Sequence, residues 1–379
     1  MLGYNGASYL NAIRSAIISE SGCSTSLSFS WDPQFPTATQ TSRPSSSPSA
    51  CSAAVDAGRT SIAVGWYHAC AAAASGILRC WGAGSAGTAG GNNQLQSVVP
   101  LSASSNQVAV AAGGFHSCAL SARGSAVQCW GRSVEGQVTV PASLAYPIAA
   151  ITAGSYHTCA LSVATGGIRC WGSAAFITVP TAAQSGQLYV AAAGSHTCSL
   201  SVFGSVTCWG QNVYQECAVP ALVAASPQRA IAAGYRHSCA VSNSTGAVAC
   251  WGQSTLGQTA VPFAALSRQV AVVCGYGHSC SLSDTGVTTC WGQNNLGQTN
   301  VPANLGVVTA LASNGGTVCA LSATGSLRCW GENGFGQASV PAGVTAAQPC
   351  SPQPIRRKPS PSPSATRTAS RKRKLPLRA

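Results

Sequence analysis

Val110–Pro141 reads VAAGGFHSCALSARGSAVQCWGRSVEGQVTVP. Its polar and apolar residues alternate, so that His116, Cys118 and Leu120 share one face before a glycine-containing turn leads to Val127 and Cys129. Period-two alternation broken by such a turn predicts two antiparallel strands. Placing Cys118 opposite Cys129 also places Leu120 opposite Val127. Small residues before the histidine and the Val-Pro after the Trp-Gly mark strand ends and loops.

The frame recurs. ITAGSYHTCALSVATGGIRCWG, AAAGSHTCSLSVFGSVTCWG, AAGYRHSCAVSNSTGAVACWG and VVCGYGHSCSLSDTGVTTCWG follow it; AVGWYHACAAAASGILRCWG precedes it, and LASNGGTVCALSATGSLRCWG ends the series. The first cysteine of each unit falls at 70, 118, 159, 198, 239, 280 and 319, with steps of 39 to 41 residues after one of 48 that a Gly-rich loop beyond Trp81 absorbs. A unit of short strands cannot bury both faces alone, whereas units stacked around a ring bury them and leave only protected edges.

The net charge of +13 is unevenly distributed. Nine of the twenty basic residues follow Cys350, and residues 54–349 carry nine Arg, no Lys and five acids. Charged residues make up only 7% of the chain against roughly 25% in an average globular protein, so Ser, Thr, Gln, Asn and Gly must build the surface. No apolar run approaches the ~18 residues of a membrane span. Residues 8–19 are interrupted by Asn11 and Arg14 and lack a basic leader, which argues against a secretory signal; a short amphipathic helix using Leu10, Ile13 and Ile17 is the alternative.

The pattern A-G-x-x-H-[ST]-C-A-L, then C-W-G, then N-x-x-G-Q resembles repeats of the regulator-of-chromosome-condensation and β-lactamase-inhibitor-protein superfamily, and its cysteine-paired form is similar to Crinkly-type receptor-kinase ectodomains. The resemblance covers residues 54–349 and implies an all-β, seven-bladed β-propeller. Residues 1–30 form an N-terminal segment, 31–53 a Pro/Ser-rich linker, and 350–379 a disordered basic tail. Function does not follow from this fold, because the superfamily includes an exchange factor, enzyme inhibitors and receptor ectodomains.

Fourteen of the nineteen cysteines form in-frame pairs: Cys70 with Cys80, Cys118 with Cys129, Cys159 with Cys170, Cys198 with Cys208, Cys239 with Cys250, Cys280 with Cys290, and Cys319 with Cys329. Directly opposed residues on antiparallel strands lie ~4.5–5.5 Å apart at Cα, within reach of a disulfide. One bridge per blade points to an oxidising compartment; the competing reading is buried free cysteine acting as a small hydrophobe. Zinc fits poorly, since an isolated pair supplies two ligands where a structural site needs four. Cys23, Cys51, Cys217, Cys274 and Cys350 remain. Cys51 and Cys350 flank the repeats, so ring closure would bring them together as a clasp. Asn243-Ser244-Thr245 is a glycosylation sequon.

All six histidines (His68, His116, His157, His196, His237 and His278) occupy one repeat position, where Thr317 is the seventh. Rotational copies point into separate blades, so each is expected to hydrogen-bond within its own blade, and the tryptophans, Trp66 included, are expected in the core. The seven acids show no catalytic spacing, and the first lysine, Lys358, precedes Pro359, which excludes a phosphate-binding GxxxxGK[ST] loop. Gly82–Gly87 matches GxGxxG but follows a strand with no helix after it, and reads as a blade loop. No catalytic residue, metal or cofactor is expected.

In the tail, Arg356-Arg357-Lys358 and Arg371-Lys372-Arg373-Lys374 resemble a bipartite nuclear-import signal and could bind nucleic acid or another polyanion by charge alone. The cysteines argue for the secretory pathway and the tail for the nucleus. The leading expectation is a monomeric, extracellular, non-catalytic scaffold that binds a protein or glycan partner through loops, most individually Ala83–Val99, Ser173–Val179 and Gln211–Val219. The alternatives are a nuclear guanine-nucleotide exchange factor for a small GTPase and an inhibitor of a secreted enzyme.

Overall fold

The computed structural model describes residues 61–84, 92–344 and 346. The N-terminal segment, the linker, Cys23, Cys51, Cys350 and the basic tail lie outside the described residues, so the proposed clasp has no structural account.

Among the described residues, seven three-stranded antiparallel sheets succeed one another as the blades of a propeller. Blade 1 consists of β1 (Ile62–Val64), β2 (His68–Ala72) and β3 (Leu78–Gly82). Blades 2 to 6 occupy residues 107–131, 148–172, 187–210, 228–252, 269–292. Blade 7 consists of β19 (Val308–Asn314), β20 (Thr317–Ser322) and β21 (Leu327–Gly331). Each blade runs inner, middle, outer. Inner strands contact their neighbours around the ring, β1 meets β19 at the seam, and together they line an axial channel of about 130 Å³.

The register follows the cysteine arithmetic. Cys118 pairs with Cys129 and Leu120 with Val127, and equivalent pairs recur in each blade. All seven in-frame pairs are disulfides, with Cα–Cα distances of 4.0–4.1 Å. That is close to the ~4.5 Å of the narrow, non-hydrogen-bonded antiparallel pair rather than the ~5.5 Å of the hydrogen-bonded one.

The core lies between blades rather than within them. Seven hydrophobic clusters each join two adjacent blades, and each contains the Trp-Gly tryptophan of one of them. A ring that buries ~150 Å² gains about 4 kcal/mol of transfer free energy at ~25 cal/mol per Å², before ordering costs. The glycine after each tryptophan has φ of 95–114°, and a Cβ there would strike backbone of the inner–middle loop. Only glycine tolerates both constraints, which explains the invariant dipeptide of the repeat.

The chain path sorts the loops by face. Inner–middle loops and the loops after each outer strand share one face, where the residue after Trp-Gly donates its amide to the inner–middle loop: Ala83 to Tyr67, Arg132 to Phe115, Ser173 to Tyr156, Gln253 to Arg236. Middle–outer turns lie on the opposite face, where the exposed Asn243 sits.

Candidate functional site

The histidines do not bond within their own blades. Each is fully buried, and each Nε2 meets a hydroxyl of the next blade: His68 with Ser117 (2.8 Å), His116 with Thr158 (2.8 Å), His157 with Thr197 (2.7 Å), His196 with Ser238 (2.8 Å), His237 with Ser279 (2.9 Å) and His278 with Ser313 (2.9 Å). In most links the hydroxyl hydrogen is committed to a carbonyl, as with Ser117 to Gln96 (2.9 Å), Thr158 to Gln137 (2.9 Å), Ser238 to Glu216 (2.8 Å) and Ser279 to Gln258 (3.0 Å). The imidazole Nε2–H therefore donates. Burial holds these histidines far below their ordinary range, at about 3 for His68, His116, His196 and His237 and about 4 for His157 and His278.

An imidazole 2.8 Å from a serine hydroxyl is the geometry of an activated nucleophile. Here it is sealed from solvent, the imidazole is a donor rather than a base, and its Nδ1 has no partner that would orient it. The links are an inter-blade girdle. A seventh is missing at the seam, where Thr317 and Ala69 stand in the histidine and hydroxyl positions and Thr317 turns instead to the Glu332 carbonyl (2.8 Å).

The seven Trp-Gly tryptophans are buried, but Trp66 is not one of the core set. It lies half-buried on the loop face, with ring centroids 5.8 Å from Phe115 in blade 2, 6.3 Å from Tyr156 in blade 3 and 5.7 Å from Tyr235 in blade 5. Reaching rings from opposite sides of the propeller, it covers the mouth of the channel. Tyr67, between Phe115 (5.4 Å) and Phe335 (5.2 Å), extends this aromatic floor, and Tyr276 stacks on Tyr235 at 4.5 Å. Beside Tyr67, burial and the neighbouring Glu332 raise the phenol's pKa, and burial raises that of Glu332 itself.

Two arginines sit among these rings. Arg132 lies 5.3 Å from the Tyr156 centroid and is neutralised by Glu135 at 2.7 Å. Arg236 lies between Tyr214 (4.6 Å) and Tyr235 (4.8 Å) and donates to the Tyr214 hydroxyl at 3.0 Å. Among the described residues, no carboxylate lies within 4.0 Å of Arg236. Of the three individual loops, Ser173–Val179 and Gln211–Val219 rise from this same face and the last supplies Tyr214, whereas residues 85–91 of Ala83–Val99 lie outside the described residues. Most of the floor comes from the residues between glycine and histidine in five of the seven units (GWYH, GGFH, GSYH, GYRH, GYGH). That column was visible in the repeats, but its convergence depends on the ring.

One cluster has metal-ligand types. His237, Cys239 and Cys274 bring ligand atoms within 4.8 Å of one another. Cys239 is bridged to Cys250 and His237 Nε2 is held by Ser279, which leaves too few free donors for a built site. Cys217 and Cys274 are free thiols, each pushed up to about 12 by burial.

The regulator of chromosome condensation (RCC1) repeat model matches residues 60–88, 107–137, 148–176, 229–258 and 308–337. The matched stretches hold blades 1, 2, 3, 5 and 7, and these are RCC1 repeats. The RCC1-repeat region is similar to the entire ectodomain of the Physcomitrella patens receptor kinase CR4, with 26% identity over 72% of this chain and 73% of that one and a TM-score of 0.57. The CRINKLY ectodomain of the Arabidopsis thaliana receptor kinase ACR4 is 23% identical, over 73% of this chain and 98% of that one, with a TM-score of 0.55. Prp20p from Saccharomyces cerevisiae, a protein characterised for binding to Gsp1p and histones, is 18% identical, over 71% and 83%, with a TM-score of 0.56. These last two likenesses establish the RCC1-repeat fold alone. No curated protein sequence matches the chain.

Proposed function

We propose that this RCC1-repeat propeller is a non-catalytic, extracellular scaffold that binds a partner protein on its loop face. The observation that carries the reading is the half-buried aromatic floor of Trp66, Tyr67, Phe115, Tyr156 and Tyr235, with Arg132 and Arg236 among its rings. Tyrosine, tryptophan and arginine dominate protein-binding hot spots, because the two aromatics offer a large contact area with a polar group at low ordering cost and arginine a planar fork of donors. Rigid blades hold the surrounding loops at fixed positions, which is what recognition loops require. The bridge in every blade and the likeness to receptor ectodomains support an oxidising compartment. The sealed histidine–hydroxyl pairs support binding rather than chemistry.

Tagged full-length chain and the double variant Tyr276→Ala/Phe335→Ala would be compared in the medium of expressing cells by covalent proximity capture. A partner retained by the wild type and by Arg229→Gln, an exposed-site control, but lost from the double variant supports the reading. Exclusive nuclear accumulation, together with accelerated nucleotide release from a small GTPase, would replace it with the exchange-factor alternative that the basic clusters of the tail favour.

A further inference from the structure

Four side chains from three blades form a continuous ladder on the loop face. Tyr214, from the loop after blade 4, covers the Arg236 guanidinium at 4.6 Å; Arg236 lies 4.8 Å from Tyr235; and Tyr235 stacks on Tyr276 of blade 6 at 4.5 Å. The hydroxyl of Tyr214 accepts one guanidinium N–H at 3.0 Å. A guanidinium has five N–H donors, so four are without a protein acceptor among the described residues, in a residue that is half-buried overall.

We infer that Arg236 is a carboxylate receptor and that the partner engages this sector with an acidic peptide segment, an inference that rests on the loop-face reading above. Stacking fixes the plane of the fork before any ligand arrives, which reduces the rotamer freedom lost on binding, and a planar fork matches a carboxylate bidentately. The contrast with Arg132 is informative. That guanidinium also lies over rings, but Glu135 fills it at 2.7 Å, and Glu135 is held in turn by Gln137 at 2.9 Å. Arg236 has the same setting without the internal acid. Glu216, the acid of the Tyr214 loop, is fully buried and accepts the Tyr214 amide at 2.7 Å, so it does not serve.

Two observations choose among occupants. The basic tail of this chain is excluded by like charge, since its nine basic residues meet no acid after Cys350. An acidic sugar would stack a pyranose on an open ring face, which only the end rungs Tyr214 and Tyr276 keep, whereas a carboxylate is the complement of the cation at the centre of the ladder. The N–H groups of Arg236 that have no acceptor among the described residues suit a side-chain or C-terminal carboxylate of a peptide.

The test is selection of random peptides of about 12 residues, displayed on phage, against the full-length chain. Winners are synthesised with each Asp or Glu intact or replaced by its amide. The expected result is winners that carry a carboxylate, lose about tenfold or more in affinity on amide replacement, and lose as much on Arg236→Gln. Arg236→Lys, which keeps the charge but not the fork, falls between, and Arg229→Gln on the opposite face binds as wild type. Unchanged thermal transitions of the Arg236 variants exclude misfolding as the cause. Winners abolished by Tyr276→Ala but indifferent to Arg236→Gln and to amide replacement overturn the carboxylate inference and leave the loop-face reading intact. Winners indifferent to every loop-face substitution, or a library yielding no binder, count against both. Binding of a uronic-acid oligosaccharide at Arg236 with no acidic peptide selected overturns the peptide assignment.

Discussion

The indole N–H of Trp81 in blade 1 donates to the main-chain carbonyl of Gln337 at 2.9 Å, across 256 residues of sequence. The same bond links Trp130 to Gln96, Trp251 to Glu216, Trp291 to Gln258 and Trp330 to Gln298 within the continuous part of the ring. At the seam it does a job that no peptide bond does there. Gln337 owes its position to its own side chain, whose Oε1 accepts the Phe335 amide at 2.9 Å and shapes the loop that presents the carbonyl. Hydrophobic contacts of Ile62, Val64 and Trp81 with Leu321, Leu327 and Ala346 complete the closure.

Replacing Trp81 with Phe keeps most of the apolar contact and leaves the Gln337 carbonyl buried without that donor. The expected cost is about 1–3 kcal/mol, the penalty of an unsatisfied buried polar group. Because the seam lacks the histidine–hydroxyl link, Trp81→Phe should also raise local opening at blades 1 and 7. Hydrogen exchange would show this as lost protection in β1 and β19 that Trp291→Phe, made in the middle of the ring, does not produce. Equal effects of the two variants would mean that the seam is no weaker than any other interface.

Acid should unfold this propeller well above the pH at which carboxylates alone would matter. The six girdle histidines are held neutral in the folded state at about 3 to 4, against an ordinary value of 6.5. Below about pH 6.5 the unfolded chain binds protons that the folded chain refuses, so stability falls as pH falls, down to the folded values, and is flat above about pH 7. Each histidine contributes up to about 1.4 kcal/mol per pH unit within that window. Urea midpoints measured between about pH 7 and pH 5 should drop steeply, with the slope reduced in His157→Gln. A flat profile would show that the imidazoles titrate without leaving their sites.

Sequence alternation was enough to pair Cys118 with Cys129 and to count the blades, because both ends of each contact lie within one hairpin. The partner of His116 was not legible in the same way. Its hydroxyl, Thr158, is 42 residues away in the next unit, and nothing in the spacing distinguishes that residue from Ser117 beside the histidine. Trp66 was assigned to the core for a related reason. A tryptophan in an apolar repeat usually packs inward, and only closure of the ring places Tyr156 and Tyr235 around this one. The loop Gln211–Val219 did stand out by its departure from N-x-x-G-Q, and it supplies the stacking partner of Arg236.

Non-reducing peptide mapping should return the seven in-blade bridges and leave Cys217 and Cys274 as thiols. Alkylation at about pH 8 should be slow at both, since burial pushes each up to about 12, and slowest at the fully buried Cys274; denaturation should make both react at once. Removing one bridge, as in Cys118→Ala/Cys129→Ala, opens a loop of separation 11 and should cost about 2–3 kcal/mol without unfolding the ring. Rapid native labelling of Cys274 would instead reveal opening between blades 5 and 6.

The loop that carries Tyr214 holds its neighbour Gln215 at φ 65°, in the position where the loops after blades 5, 6 and 7 place Gly257, Gly297 and Gly336 at φ 75–79°. A side chain in this left-handed region costs on the order of 1 kcal/mol relative to glycine. The loop therefore departs from the repeat at a cost in stability, and it departs where it supplies the cover for Arg236. Gln215→Gly should stabilise the fold by about 0.5–1 kcal/mol in urea unfolding, since the relieved strain exceeds the extra freedom of the unfolded chain. The same change should loosen Tyr214 and weaken selected acidic peptides severalfold, a gain in stability paired with a loss in binding. Stabilisation with unchanged peptide affinity would show that the strained residue is not needed to hold Tyr214 against the guanidinium. Destabilisation would mean that the Gln215 side chain makes a favourable contact outweighing its backbone strain.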